Sequence, residues 1–162
     1  MIKISKHELN EILKRHKKWL GGEANGERAD LQFADLYGVN LTNVNLQFAD
    51  LSGADLSEAN LQKADLRNTN LQGANLQNSY LSYALLQRAD LHRANLYSAG
   101  LMRANLQNSD LSNADLSYTD LRYADLREAN LQDTKLLIEI VARNPTVSTV
   151  RMNCRSFYHK VG

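Results

Sequence analysis

From Leu31 to Leu136 a leucine falls at every fifth position without a miss, twenty-two in all. Two residues before each stands a small side chain: Ala at most units, and otherwise Val39, Val44, Thr69, Ser79, Ser109, Thr119 or Thr134. Asp or Asn directly precedes every one of these leucines except at Tyr80, Leu85, Gly100 and Lys135, so the unit reads A-(D/N)-L-x-x. A period of five suits neither regular element. On an α-helix five residues turn about 500°, which spirals the leucines around the axis. On a flat strand an odd period sends successive leucines to opposite faces. Equivalent surroundings for every Leu therefore need one equal bend per unit, and a chain bent once per unit coils into a stacked solenoid. Leu and the small residue two before it share a strand face and point inward, leaving the Asp or Asn and both x residues outside. Asp and Asn are expected to serve the bends, because they tolerate unusual backbone angles and hydrogen-bond locally.

The flanks follow other rules. Ser5-Lys6-His7-Glu8 reads as a capping box, Leu9, Ile12, Leu13, His16 and Leu20 recur at helical spacing, and Gly21-Gly22 ends the run. After Leu136 the pattern changes to Leu137, Ile138, Ile140 and Val141, a short helix or strand stopped by Asn144-Pro145. Val147 to Phe157 carries β-branched residues and reads as a strand, a second cap or a tail. An open solenoid end exposes unpaired backbone and a leucine layer, so caps are needed, and the N-terminal flank reads as one. The organisation is a capping helix and linker over 1–28, the repeats over 29–136, and a C-terminal cap or tail over 137–162.

Tandem units such as Ala49-Asp50-Leu51-Ser52-Gly53 followed by Ala54-Asp55-Leu56-Ser57-Glu58 resemble the pentapeptide-repeat family, and the likeness spans residues 29 to 136. The resemblance implies an all-β solenoid, a right-handed quadrilateral β-helix with four pentapeptides per coil. Twenty-two units then make about five and a half coils, a stack about 26 Å tall at ordinary strand spacing. Leucine-rich repeats are a poor rival, since their leucine spacings of three and two within a longer unit are missing.

Composition sharpens this picture. Of 162 residues only 7% are aromatic, so Leu and Ala must fill the interior. The single Cys, Cys154, excludes an internal disulfide and a cysteine zinc site. No apolar run reaches the roughly 18 residues of a membrane span. The charged start, with Lys3 and Lys6, carries no signal-peptide core, so a soluble cytoplasmic protein is expected. The formal charge of +1 hides a division: +3 over 1–28, −5 over 29–136 and +3 over 137–162.

With four units per coil, residues twenty apart stack. The two sides carrying Leu31 and Leu36 and their successors gather Asp30, Asp35, Asp50, Asp55, Glu58, Asp90, Asp110, Asp115 and Asp133, opposed only by Arg93 and Lys135. The other two hold Lys63, Arg67, Arg88, Arg103, Arg122 and Arg127 against Asp65, Asp120, Asp125 and Glu128. One half of the rod is acidic and the other mildly basic. The basic half also holds the exceptions to the unit. Lys63, Tyr83, Arg103 and Tyr123 form one column, Tyr80, Leu85 and Met102 lie beside it, and Gly100 stacks over Tyr80. Exposed aromatic and apolar area beside arginine is what protein interfaces use, so this patch, with Arg88 and Arg122, is the candidate partner-binding site. Tyrosine ladders that merely stabilise stacked strands give the same pattern.

Catalytic patterns are missing. His7, His16, His92 and His159 are scattered, with none of the i, i+3 or i+4 pairs a metal site uses, and no phosphate-binding glycine loop occurs. His16 reads as a packed residue of the capping helix. The expectation is a non-enzymatic protein without cofactor or metal, monomeric or dimeric through its C-terminal segment, acting as a rigid scaffold for a protein partner. The alternative, implied by the resemblance, is a mimic of duplex DNA that occupies DNA gyrase through the acidic sides. Ice binding would need rows of outward Thr, and direct binding of nucleic acid a stronger basic stripe.

Overall fold

The structure, a computed structural model, describes residues 1–136. The expectations for Leu137 to Phe157 lie outside the described residues. The chain opens with β1 (Ile2–Lys3), continues as α1 (Lys6–Leu20), and enters the repeats, where β2 (Ala34–Asp35) is the partner of β1. From Asp30 onward every fifth residue forms a parallel bridge with the residue twenty further on, from Asp30↔Asp50 to Asp115↔Lys135. A parallel register of twenty with a bend every five residues is a four-sided β-helix, and the register runs unbroken through this stretch.

Each side is held in the same way. The Leu N–H donates to the carbonyl nineteen residues on, as Leu51 does to Asn70 at 2.7 Å, and the Asp or Asn N–H donates back to the preceding coil, as Asp50 does to Ala29 at 3.0 Å. The corner is a β-turn closed within the unit, with the Ala54 N–H donating to the Leu51 carbonyl at 3.1 Å. The left-handed residue of that turn is the second x. It has positive φ at each such position from Phe33 to Asp133, whether Gly, Asn, Asp, Ser, Phe, Tyr, Arg, Lys or Glu. This corrects the expectation for Asp and Asn. The Asp or Asn before each Leu lies in the bridge of its side, three residues before the left-handed one, and its contribution is the local hydrogen bond. Asn60 Oδ1 accepts from the Gln62 N–H at 3.1 Å and Asp50 Oδ1 from the Ser52 N–H at 3.0 Å, which fixes the approach to the turn.

The interior is rows of Leu and Ala, nearly all exposed by 3% or less. Where Thr or Ser replaces Ala, the hydroxyl is satisfied by main chain: Thr69 donates to the Leu46 carbonyl at 2.8 Å and Ser79 to the Leu76 carbonyl at 2.6 Å. A hydroxyl that finds an acceptor in this way escapes the cost of burying an unpaired polar group.

α1 begins at the capping box. The Glu8 N–H donates to Ser5 Oγ at 3.2 Å, and the Ser5 N–H to Glu8 Oε2 at 2.7 Å. It buries Leu9 and His16, and Ile12 and Leu13 pack against the leucine core. β1, which no periodicity announced, pairs in parallel with β2, Ile2 beside Ala34 and Lys3 beside Asp35. No helix among the described residues is long and apolar enough to cross a membrane.

His16 joins helix to rod. Its Nδ1 accepts from the Ala29 N–H at 3.1 Å, and its ring stacks on Trp19 with centroids 5.7 Å apart. A nitrogen that accepts cannot carry a proton, so the contact requires neutral imidazole. Burial pushes the His16 pKa below its ordinary value, against a smaller pull from the Gln47 carbonyl. The unfolded chain therefore binds more protons than the folded one as pH falls. Stability is expected to be full above pH of about 6.5, the ordinary histidine value, and to decline below it. A His16→Gln variant is expected to flatten this limb of the urea-midpoint profile between pH 7 and 5, and an unchanged slope would refute the assignment.

Candidate functional site

The expected tyrosine column forms. Lys63, Tyr83, Arg103 and Tyr123 all occupy the left-handed corner position, with φ of 57°, 62°, 59° and 60°. Each side chain therefore projects from the same corner of its own coil, one above the next. Within the column Arg103 is clamped. Its guanidinium carbon lies 5.6 Å from the Tyr83 ring centroid and 5.5 Å from that of Tyr123, and Nη1 donates to the Tyr83 hydroxyl at 2.9 Å. Two cation–π contacts and a hydrogen bond hold one arginine upright on an open surface. Tyr123 remains 75% exposed and Tyr83 43%.

Tyr80, 55% exposed, stands in the bridge column Asn60, Tyr80, Gly100, Asp120, and Gly100 above it presents no side chain. Leu85 and Met102 are half-buried, and Arg88 is exposed at the next corner. Arg122 differs from the other expected members. Its Nε and Nη2 donate to both oxygens of Asp120 at 2.9 and 2.8 Å, so it is committed within its own unit. Arg67 clasps Asp65 and Arg127 clasps Asp125 in the same bidentate way. The Asp-Leu-Arg triplet produces these pairs, because Asp and the first x residue lie two apart on one strand face. The Arg127 fork, against a smaller opposing effect of burial, holds the Asp125 carboxyl down to about 2. Among the described residues neither Lys63, Arg88 nor Arg103 has a carboxylate partner.

The acidic sides are less bare than their charges suggest. Burial would raise the Asp50 carboxyl, but donors from Ser52 and Asn70, with Arg28 nearby, outweigh it and hold it low. Asp115 behaves alike, its burial overcome by Ser117 and Lys135. Asn75 donates to Asp55 at 3.0 Å and Asn130 to Asp110 at 3.0 Å, each one coil above its acceptor. Asp90 accepts the His92 N–H at 3.0 Å, Glu58 accepts the Tyr37 hydroxyl at 2.7 Å, and Asp30 and Asp35 accept from Gln32 and Tyr37 N–H groups. Much of each carboxylate is thus spent on turns and ladders within the rod.

Sequence reasoning passed over two features. Tyr97 and Tyr118 meet edge to face at 5.2 Å on an acidic side, and His92 Nδ1 lies 2.8 Å from Ser112 Oγ. Both follow from the twenty-residue stack, in which Tyr118 lies above Ser98, next to Tyr97, and Ser112 lies above His92. Among the described residues no cluster of three His, Cys, Asp or Glu side chains is placed to hold a metal ion.

Against this geometry, the sequence profile described as pentapeptide repeats matches in eight copies over residues 22–43, 34–73, 69–108 and 99–136. No curated protein matches the chain. Among solved structures it is similar to the pentapeptide repeat protein Rfr23 from the cyanobacterium Cyanothece 51142, with 27% identity, 78% of this chain and 95% of that one covered, and a TM-score of 0.66. It is also similar to HetL, a pentapeptide repeat protein involved in heterocyst differentiation regulation from the cyanobacterium Nostoc sp. strain PCC 7120, at 35% identity, 68% and 60% coverage and a TM-score of 0.31. A third likeness, to the plasmid-mediated fluoroquinolone resistance protein QnrB1, has 19% identity, 76% and 65% coverage and a TM-score of 0.42. The likeness to Rfr23 implies the right-handed sense of the four-sided helix.

Proposed function

The chain belongs to the pentapeptide-repeat family, and from that premise we propose that it is a rigid, non-enzymatic interaction module of the cytoplasm that presents its tyrosine-bearing sides to a protein partner. The observation that carries this reading is the clamp of Arg103 between Tyr83 and Tyr123 on an exposed corner. Tyr and Arg are the side chains that most often anchor protein interfaces, and these two tyrosines pack on Arg103 without being buried. The interior of each coil is occupied by its own Leu and Ala, so recognition falls to the outside of the rod. The module acts as a monomer in this reading, with α1 and β1 closing its N-terminal end.

The reading is tested by replacing Tyr83, Arg103 and Tyr123 together with Ser and comparing co-purified proteins by quantitative mass spectrometry. The variant is expected to keep the wild-type circular dichroism and to lose at least one specifically enriched protein. Identical enrichment profiles would remove the site.

The DNA-mimic reading has less support, because the acidic columns are interrupted by Asn and their carboxylates are drawn into turns and ladders. Purified protein at micromolar concentration is expected to leave DNA supercoiling by gyrase unchanged. Inhibition at that concentration would reverse the order of the two readings.

A further inference from the structure

We propose that the partner segment recognised by the tyrosine-bearing sides is an acidic peptide, its carboxylates received by Arg103, Lys63 and Arg88. The inference rests on the interaction-module reading and adds the chemistry of the partner. Its first support is the distribution of charge. On these two sides every aspartate is already clasped by the arginine two residues on: Asp65 by Arg67, Asp120 by Arg122 and Asp125 by Arg127. The positive charge left over is therefore concentrated on three side chains that lack a carboxylate, and the one other acidic residue of these sides among the described residues, Glu128, stands two coils from Arg88 in its column. Arg88 and Arg103 lie within, and Lys63 one coil before, a belt from Ser79 to Asn108 that carries no acidic residue on these sides: Tyr80, Leu85, Met102 and Asn105 stand where other units carry Asp, Arg or Gln.

The second support is preorganisation. A free surface arginine gives up much rotamer freedom when it binds. Arg103 has already given it up, held between two rings and bonded to the Tyr83 hydroxyl. Tyr83 uses only Nη1, which leaves most of the planar fork free, and that fork matches a carboxylate edge to edge. Lys63 stands in the same column two coils away, and Arg88 at the neighbouring corner, so acidic side chains spaced along one segment meet a cation at each. Leu85 and Met102 supply half-buried apolar surface for the side chains between them.

A single-stranded nucleic acid is the competing anionic ligand, and the geometry disfavours it. Base stacking needs open ring faces, and Tyr83 and Tyr123 each spend a face on Arg103. The chain's own C-terminal segment, 137–162, is basic and repelled by the same cations.

The test uses the full chain. Random dodecapeptides displayed on phage are selected on the wild-type protein, and the recovered peptides, labelled with fluorescein, are titrated by anisotropy. Enrichment in Asp and Glu is expected, with affinity falling as salt rises. Arg103→Gln is expected to weaken binding about tenfold or more, and Arg103→Lys, which keeps the charge but not the fork, to an intermediate degree. Circular dichroism checks that each variant keeps the wild-type fold. Peptides without acidic enrichment that still lose binding on Tyr83→Ser and Tyr123→Ser would overturn the acidic partner while sparing the module reading. Binding unaffected by any of these substitutions would overturn both. Tighter binding of labelled (dT)12 than of the selected peptides would also overturn the proposal, in favour of a nucleic-acid ligand.

Discussion

Leu81→Ala is expected to lower stability by about 3 kcal/mol or more, read as a fall in the urea midpoint. Leu81 is fully buried in the middle of the stack, with Leu61 below it and Leu101 above on the same side. Truncation removes the transfer free energy of the lost carbons, and a cavity remains unless the surroundings collapse. Collapse is hindered here, because the backbone on both sides of the gap is tied into the ladder. The Leu81 N–H donates to the Gly100 carbonyl at 2.7 Å, and the Leu61 N–H to the Tyr80 carbonyl at 2.8 Å. In a one-dimensional stack such damage also weakens the coupling between the coils on either side. The denaturant slope is therefore expected to fall along with the midpoint, as the two halves begin to unfold separately. Ser82→Ala, one residue on and half-exposed, is the control and should change stability by no more than about 0.5 kcal/mol. Equal effects from both substitutions would mean that the leucine row does not hold the coils together.

The interior was the most legible part of the chain because its requirement is chemical and repeats without exception. The corners were less legible. A left-handed residue is ordinarily recognised by Gly or Asn, and Gly38, Gly53, Asn68 and Asn113 oblige, but Tyr83, Arg88, Arg103 and Glu128 adopt the same angle. Nothing in their own preferences calls for it. The ladder imposes it, since each second x residue must aim its N–H at the coil above, as Tyr83 does to Met102 at 3.0 Å. The conformation is thus a property of the stack, invisible to residue-by-residue propensity.

The same holds for the site. The twenty-residue spacing brings Tyr83, Arg103 and Tyr123 together on paper, yet it cannot say that the arginine stands between the rings or donates to one hydroxyl. Nor does net charge per side reveal which cations are free. Arg122 and Arg103 count equally in the sum, but Arg122 is spent on Asp120 while Arg103 is not. That distinction lies in the two-residue offset between an Asp and the first x residue, a local rule that a sum over sides erases.

Gly26→Ala should undock the N-terminal helix, at a cost of about 2–3 kcal/mol, because nothing around Gly26 can move aside. A Cβ at this position would lie 2.3 Å from the Trp19 nitrogen, 2.5 Å from the Trp19 Cα and 2.7 Å from the Lys18 carbonyl carbon. All three are main-chain atoms of the last turn of α1, so no side-chain rotation relieves the overlap. Either the linker or the helix must shift, and both are tied down. The Gly26 N–H donates to the Glu23 carbonyl and the Glu27 N–H to the Arg15 carbonyl, each at 3.2 Å, and the next contact along is the Ala29 N–H on His16. Displacing the linker therefore strains the hydrogen bond from the Ala29 N–H that seats the buried imidazole on the rod. The loss is expected in a particular place. Amides of α1 should exchange faster by hydrogen exchange while those of the central coils, such as Leu81 and Leu86, keep their protection, since each coil touches only its neighbours. Gly22→Ala separates space from conformation: Gly22 has φ of 67° and no atom within 4 Å of a Cβ, so only the left-handed backbone penalises it, by about 1 kcal/mol. If Gly22→Ala proved as damaging as Gly26→Ala, or if exchange quickened evenly along the rod, close packing of helix against linker would not be what holds that end shut.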